Sequence, residues 1–265
     1  MRTMYGKDLL VRMFRNTCFG GWLDVHFVDH DPCLVHGMLL RQELVDEERH
    51  TEYQRLQFNV SDYICHFGCE EFCLMTGLKF GPCNIKDMEN APTPLVQRIF
   101  PGRHTPLKLI DLKEVFEGER FFELYEEDAI RLCLVIFVEF ILCGREPRNC
   151  VDTMLLVLVE DTNAFNQFPW GSYCWTTTYK SLRNAAWKHI PEKLLSNPSK
   201  PSKLGNIKNK VLGAVKGVKG NDGGDEKTKQ EKLPQYTLFG FIWGFKVCFL
   251  VQCFYYFIYK LIIFI

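Results

Sequence analysis

Two periods of apolar residues run through the first 190 positions, and the period decides the element. Leu9, Leu10, Met13 and Phe14 recur at helical spacing behind Asp8, and Gly20-Gly21 ends the pattern, which predicts an amphipathic helix. Val35, Met38, Leu39 and Leu44 predict a second helix over 35–44, ahead of a polar run at 46–52. The period then shortens. Leu56, Phe58 and Val60 alternate with Gln57 and Asn59, Ser61-Asp62 interrupts, and a β-prone run follows at 63–67, the signature of a hairpin. A short helix follows Gly68, with Glu70 and Glu71 in its first turn and Phe72, Met75 and Thr76 along one side. Gly77 ends it and Leu78 returns to the core.

Residues 81–106 are rich in Pro and Asn and read as a loop. A helix over 107–116 turns Leu109, Leu112, Val115 and Phe116 inward. Glu126-Glu127-Asp128 then opens the strongest helix of the chain, 129–143, which Gly144 stops. Its stretch 132–138 is apolar without interruption, the pattern of a helix buried on nearly all sides. It is too short for a membrane span and is charged at Arg131 and Glu139. Arg145, just past its end, complements the helix dipole. Residues 151–159 form a further helix expected to pack against it, and 176–187 read as one more.

The segment 150–171 is the most informative. Its helix closes on Glu160-Asp161 and is followed by Phe165-Asn166-Gln167-Phe168-Pro169-Trp170-Gly171. Two Phe, a Pro and a Trp so close together predict a rigid aromatic turn pinned to the core, because Pro fixes φ and the rings carry large buried area.

Charge divides the chain. Residues 188–235 hold eleven Lys against five acids, a net of +6, whereas residues 1–187 carry −8, with 19 Lys and Arg against 27 Asp and Glu. The acidic body does not attract nucleic acid, and only the basic stretch could hold it, weakly. That stretch is nearly free of aromatic residues and reads as a flexible, disordered linker. Lys without interleaved aromatics or Arg reads bases poorly. The tail, 236–265, is dominated by Phe, Tyr, Ile and Val. Two readings of 248–265 stay open: a membrane anchor over 247–265, with Lys260 snorkelling, or read-through of an A/T-rich intron in the gene.

Candidate chemistry is sparse. The first eight residues contain no apolar run of signal-peptide length, so the 12 Cys are expected in a reducing compartment, nucleus or cytoplasm, as small buried hydrophobes, and the sequon at Asn59 is expected to be silent. Cys65, His66, Cys69 and Cys73 are the best metal set, but no second close pair accompanies them, and packing explains them better. Cys174 beside Trp175 has no local signature of a nucleophile. Glu126, Glu127 and Asp128 read as a helix N-terminus rather than general acid–base groups. Gly213, Gly217 and Gly220 lack the Gly-Lys-Ser/Thr end of a phosphate loop. No catalytic, cofactor-binding or metal residue is assigned and no cofactor is expected.

Five segments in order carry a family resemblance: 14–23, with Phe-Arg-Asn-Thr-Cys-Phe-Gly-Gly-Trp-Leu; 36–41; 67–77, with Glu71-Phe72-Cys73-Leu74-Met75-Thr76-Gly77; 126–129; and 165–171. Together they resemble the plant domain of unknown function nineteen-eighty-five, over roughly 9–187 and again at 236–247, where Tyr-Thr-Leu-Phe-Gly-Phe-Ile-Trp-Gly-Phe-Lys-Val is similar to the family's closing helix. The resemblance implies a domain often met ahead of Ulp-type cysteine peptidases in Mutator-like transposable elements. Such a peptidase needs a His, an Asp, a Gln and a Cys together, and the stretch after Val247 holds no His or Asp, so the set is not expected there.

The expected fold is therefore α+β, mainly α. A helical domain over 5–187 carries one small hairpin near 56–67, the linker spans 188–235, and a hydrophobic C-terminal segment at 236–265 supplies the last helix from 236–247. The expected function is a non-catalytic interaction module with an unidentified protein partner. Its rivals are a tail-anchored membrane protein with an acidic cytosolic domain, and a fragment of a SUMO-specific cysteine peptidase.

Overall fold

The uninterrupted apolar run does become the centre of the structure. In the computed structural model, which describes residues 4–25, 32–43, 55–60, 63–83, 88, 91–103, 106–187, 238, 240, 242 and 244–249, helix α6 (Glu126–Ile136) seals Ala129, Leu132 and Val135 from solvent. The chain passes directly into a π-helical segment, Phe137–Leu142, that buries Val138 and Leu142. Helices α1 (Met4–Arg15), α4 (Pro94–Ile99) and α5 (Leu109–Glu117) pack on α6. Each large side chain so enclosed stabilises the fold by roughly 1.5–3 kcal/mol relative to exposure.

Helix α4 lies in the stretch expected to be a loop. Pro94 suits a first helical turn, Leu95 and Ile99 are both buried, and the Glu160 carboxylate accepts the Leu95 N–H at 2.6 Å. The cap comes from a residue far along the chain, which a local pattern does not contain. The entry to α5 is held by backbone bonds from Leu109 to Asn149 and from Val151 to Leu107, and Lys108 N–H donates to Asp111 at 2.8 Å.

The segment after α6 is shorter in helix than expected. Helix α7 (Thr153–Leu158) starts behind Asp152, whose carboxylate accepts from Met154 N, and α8 (Thr162–Gln167) starts behind Asp161, which accepts from Asn163 and Ala164 N. Helix α9 (Trp170–Trp187) begins six residues before the expected start, directly from the aromatic turn. The turn is pinned as predicted. Phe165 and Trp170 are buried, their ring centroids stand 4.7 Å apart, and the Trp170 indole N–H donates to the Phe165 carbonyl at 2.9 Å. Phe19, in a 3-10 turn region leading into Gly20–Asp24, reaches both rings, and Phe137 lies 5.0 Å from Phe19.

Gly171 and Gly240 are among the glycines that close approach demands. Gly171 N donates to Lys79 O at 2.7 Å, and a Cβ there would lie 2.5 Å from the Phe80 ring. Gly240, at φ +90°, donates to Cys143 O at 2.6 Å and presses on α9, where a Cβ would come within 2.5 Å of Thr178 Cα. Residues 244–249 are helical, and Phe245, Cys248 and Phe249 are buried. The expected last helix, 236–247, is thus described only from 238, and the burial runs two residues past Val247. We expect Gly240→Ala to release this segment, since backbone atoms of Thr178 cannot yield and φ is unfavourable for alanine. Native-state hydrogen exchange would then show amides of 244–249 losing protection while α6 keeps its own; unchanged protection at 244–249 contradicts the packing described.

The described chain divides into two compact units, one from residues 1–30, 69–178 and 239–265, the other from 31–68 and 179–238. The second holds helix α2 (Pro32–Leu39) and an antiparallel sheet of order β1-β2-β3, with β1 at Gln42–Glu43, β2 at Leu56–Val60 and β3 at Tyr63–Phe67. The hairpin stands as predicted, with Leu56 opposite Phe67 and Phe58 opposite Cys65, all four buried. Its turn at 61–62 lies outside the described residues. The helix expected over 35–44 instead spans Pro32–Leu39, because Gln42 and Glu43 pair with Phe58 and Gln57 and satisfy the open edge of β2. In the first unit, helix α3 (Cys69–Thr76) buries Phe72 and Thr76, and Leu78 returns to the core. The fold is a mainly helical α+β arrangement with a small three-stranded sheet. The linker 188–235 and the tail from 250 lie outside the described residues.

Candidate functional site

The residues singled out for metal chemistry are distributed rather than assembled. Cys65 is buried on β3, His66 is half-buried beside it, and Cys69 and Cys73 sit one turn apart on α3, where Cys73 Sγ lies 3.5 Å from Leu78 O. Among the described residues no group of three or more His, Cys, Asp and Glu is placed to hold a metal ion. Cys174 is fully buried on α9, and burial drives its thiol well up, with Cys143 adding to the effect. Burial likewise raises Cys69 and Cys83 and pushes Cys133 up to about 12. Thiols held in that range supply little thiolate at neutral pH.

The acids opening α6 have separate fates. Asp128 is buried, and Arg98 grips it with two hydrogen bonds of 2.8 and 2.9 Å while Arg131 adds a third at 2.8 Å. Burial alone would raise its carboxyl, but the two guanidiniums hold it below the usual range. Arg98 also reaches both oxygens of Glu160, at 3.1 and 2.9 Å. The result ties α4, α6 and the end of α7 together and leaves Asp128 saturated. Glu126 and Glu127 stay in the first turn, half-buried and exposed.

A second polar group fills the π-helical segment. Glu139 is sealed from solvent, accepts from Arg145 Nη1 at 3.0 and 2.9 Å, and accepts the Asp152 N–H at 2.9 Å. The Tyr173 hydroxyl donates to Asp152 at 3.0 Å. The π geometry explains how the pair forms: Cys143 N bonds back to Val138 O, which carries the chain round so that Arg145 meets Glu139. Arg145 is therefore a structural partner, a role beyond the dipole complement expected of it. Burial holds the Glu139 carboxyl above its ordinary value despite the Asp152 amide and Arg145, and burial raises the Tyr173 phenol. The group is closed and its donors and acceptors meet one another.

The open feature lies elsewhere. A shallow cavity of about 500 Å³, broadly open to solvent, is lined by Phe100, Pro101, Gly102, Arg103 and Arg120. The two guanidinium carbons stand 5.5 and 5.9 Å from the centre of the Phe100 ring. Arg103 is held by Asp111 at 2.6 Å, and Arg120 donates to Ile99 O at 2.6 Å. The chain on either side of Arg120 displays rings to solvent: Phe116, expected to turn inward, is 41% exposed, and Phe122 and Tyr125 are 50% and 78% exposed. Aromatic and Arg side chains at a surface are the types enriched where proteins bind one another.

A family model described as a domain of unknown function, DUF1985, matches residues 40–181, more than half of the chain. This chain belongs to the DUF1985 family. No curated protein and no solved structure matches it. The DUF1985 match runs from just before β1 into α9, so it takes in α6, the π-helical segment, the aromatic turn and the arginine cavity. The segments 67–77, 126–129 and 165–171 lie inside it; 14–23 and 236–247 lie outside, and 36–41 meets it only at Leu40 and Arg41.

Within this DUF1985 domain, the cavity was the feature that sequence reasoning missed. Phe100 and Arg103 stand three apart in a stretch taken for loop, and Arg120 comes from the 3-10 turn Glu119–Glu123. Only the spacing of Phe100 and Arg103 hinted at stacking. The expected anchor segment lies outside the described residues beyond Phe249, and no helix among the described residues is long and apolar enough to cross a membrane.

Proposed function

We propose that this DUF1985 chain is a non-catalytic protein-interaction module, derived from the region that precedes a Ulp-type peptidase in plant Mutator-like elements. The ordered resemblance over 14–171 supports the origin. The binding role is supported by one observation above others: an acidic body displays exposed Phe116, Phe122 and Tyr125 next to the cavity-lining Arg120. Exposing such rings costs solvation, and partners bury them. The non-catalytic reading is supported by the closed state of both buried charge groups and by the raised thiols. This reading is preferred to a C-terminal anchor because Cys248 and Phe249, where that anchor would begin, are already buried, with Phe249 4.7 Å from Phe245.

The test is capture on the immobilised chain beside a matched Phe122→Ser/Tyr125→Ser variant. Both positions are exposed, so the variant is expected to fold with a stability change within about 0.5 kcal/mol per site. Proteins retained by the native surface and lost with the variant, then shown to bind directly once purified, bear the reading out. Equal recoveries on both surfaces overturn it.

A further inference from the structure

We infer that the Phe100–Arg103–Arg120 cavity is a carboxylate-binding site, taking an acidic side chain or a free chain terminus of a bound peptide. The inference deepens the interaction-module reading and rests on it for biological meaning, but not for the binding itself. Arg103 is partnered by Asp111 at 2.6 Å, so its charge is largely met. Arg120 is different: its carbonyl contact with Ile99 uses one N–H, and no ion pair to it exists among the described residues. A guanidinium has five donors in a planar fork suited to a bidentate carboxylate.

The Arg120 fork is also held in place before any ligand arrives. Ile99 O fixes one N–H, and Phe100 lies beneath both guanidiniums at 5.5 and 5.9 Å. Side chains already ordered lose less freedom on binding. Gly102, at φ +76° with nothing within 4 Å of a Cβ position, keeps one wall of the cavity free of a side chain. Phosphate would suit two cations as well, but Asp111 beside Arg103 offsets part of their charge, which favours one carboxylate over a dianion.

The experiment is a fluorescence-polarisation titration of the full chain with labelled peptides of one uncharged sequence. One carries a single internal Glu and an amidated end, one carries no Glu but a free C-terminal carboxylate, and one carries neither. Saturable binding of either of the first two, with the third at least about tenfold weaker, is expected, and which of the two binds names the source of the carboxylate. Arg120→Gln, which keeps an amide donor for Ile99 O while removing the charge, should weaken that binding about tenfold and leave the thermal midpoint close to native. Equal binding of all three peptides, no binding of any, binding unchanged by Arg120→Gln, or displacement by inorganic phosphate with neither carboxylate peptide bound, overturns the inference. Loss of peptide binding with intact partner capture would remove this site alone and leave the module reading standing.

Discussion

Arg145→Ala is expected to destabilise the chain by about 3–5 kcal/mol at neutral pH, because it strands the Glu139 carboxylate in the core without its counter-charge. Glu139 is sealed from solvent, and its remaining backbone partner, Asp152 N–H at 2.9 Å, cannot balance a full charge. The loss should depend on pH with a definite sign. Burial already raises the Glu139 carboxyl in the folded state, and removing Arg145 raises it further. The folded variant then holds a proton that the unfolded chain releases near the ordinary value of 4.5. Stability of the variant therefore falls as pH rises from there through the elevated folded value, and the deficit is largest at neutral pH. Urea unfolding across that range measures it. Adding Glu139→Gln should recover much of the loss, since an amide needs no counter-ion. A deficit independent of pH, or one below about 1 kcal/mol, would contradict the assignment of Glu139 and Arg145 as a coupled buried pair.

Trp170→Ala carries an effect of similar size, about 3–5 kcal/mol, for a different reason. The indole is 1% exposed, touches the rings of Phe165, Phe168, Phe19 and Tyr173, and its N–H satisfies the Phe165 carbonyl. Alanine leaves a cavity at the point where α8, α9 and the 3-10 turn near Phe19 meet, and it leaves the Phe165 carbonyl with only the longer bond from Phe168 N, at 3.4 Å. Against a total stability of about 5–15 kcal/mol for an ordinary domain, that brings the variant near unfolding. Tyr125→Ala, at a ring 78% exposed, should shift stability by no more than about 0.5 kcal/mol. Thermal unfolding of the two variants side by side would show the contrast. Similar losses in both would mean that the aromatic turn is not the clamp described.

What could be read from the chain alone follows from how local each cause is. The apolar run at 132–138 puts apolar side chains on every side of a helix, so α6 is legible without any partner, although Cys133, Ile136 and Phe137 end half-buried rather than sealed. The hairpin is equally local, since Leu56, Phe58, Cys65 and Phe67 share one face by period alone. The aromatic turn is legible because Trp170 finds its acceptor five residues back. Helix α4 was not, because its N-terminal N–H is met by Glu160 from across the unit. Strand β1 is two residues long and exists only as a partner for β2. The π-helical segment was hidden for a subtler reason: Phe137–Leu142 continues the apolar pattern of α6, and nothing local announces that the hydrogen bonds slip by one residue. That slip brings Arg145 to Glu139, so the buried pair was hidden with it. Arg120 joins Phe100 and Arg103 through the path of α5, and no motif spacing records that path.

Binding without catalysis is what we propose for this DUF1985 chain. Its most direct test is incubation of the folded full chain with a ubiquitin-like protein bearing a C-terminal electrophile, followed by intact-mass spectrometry. No covalent adduct is expected under conditions where a Ulp-type peptidase is fully trapped. A stoichiometric adduct on a single cysteine, formed by the folded chain and lost on unfolding, would contradict it.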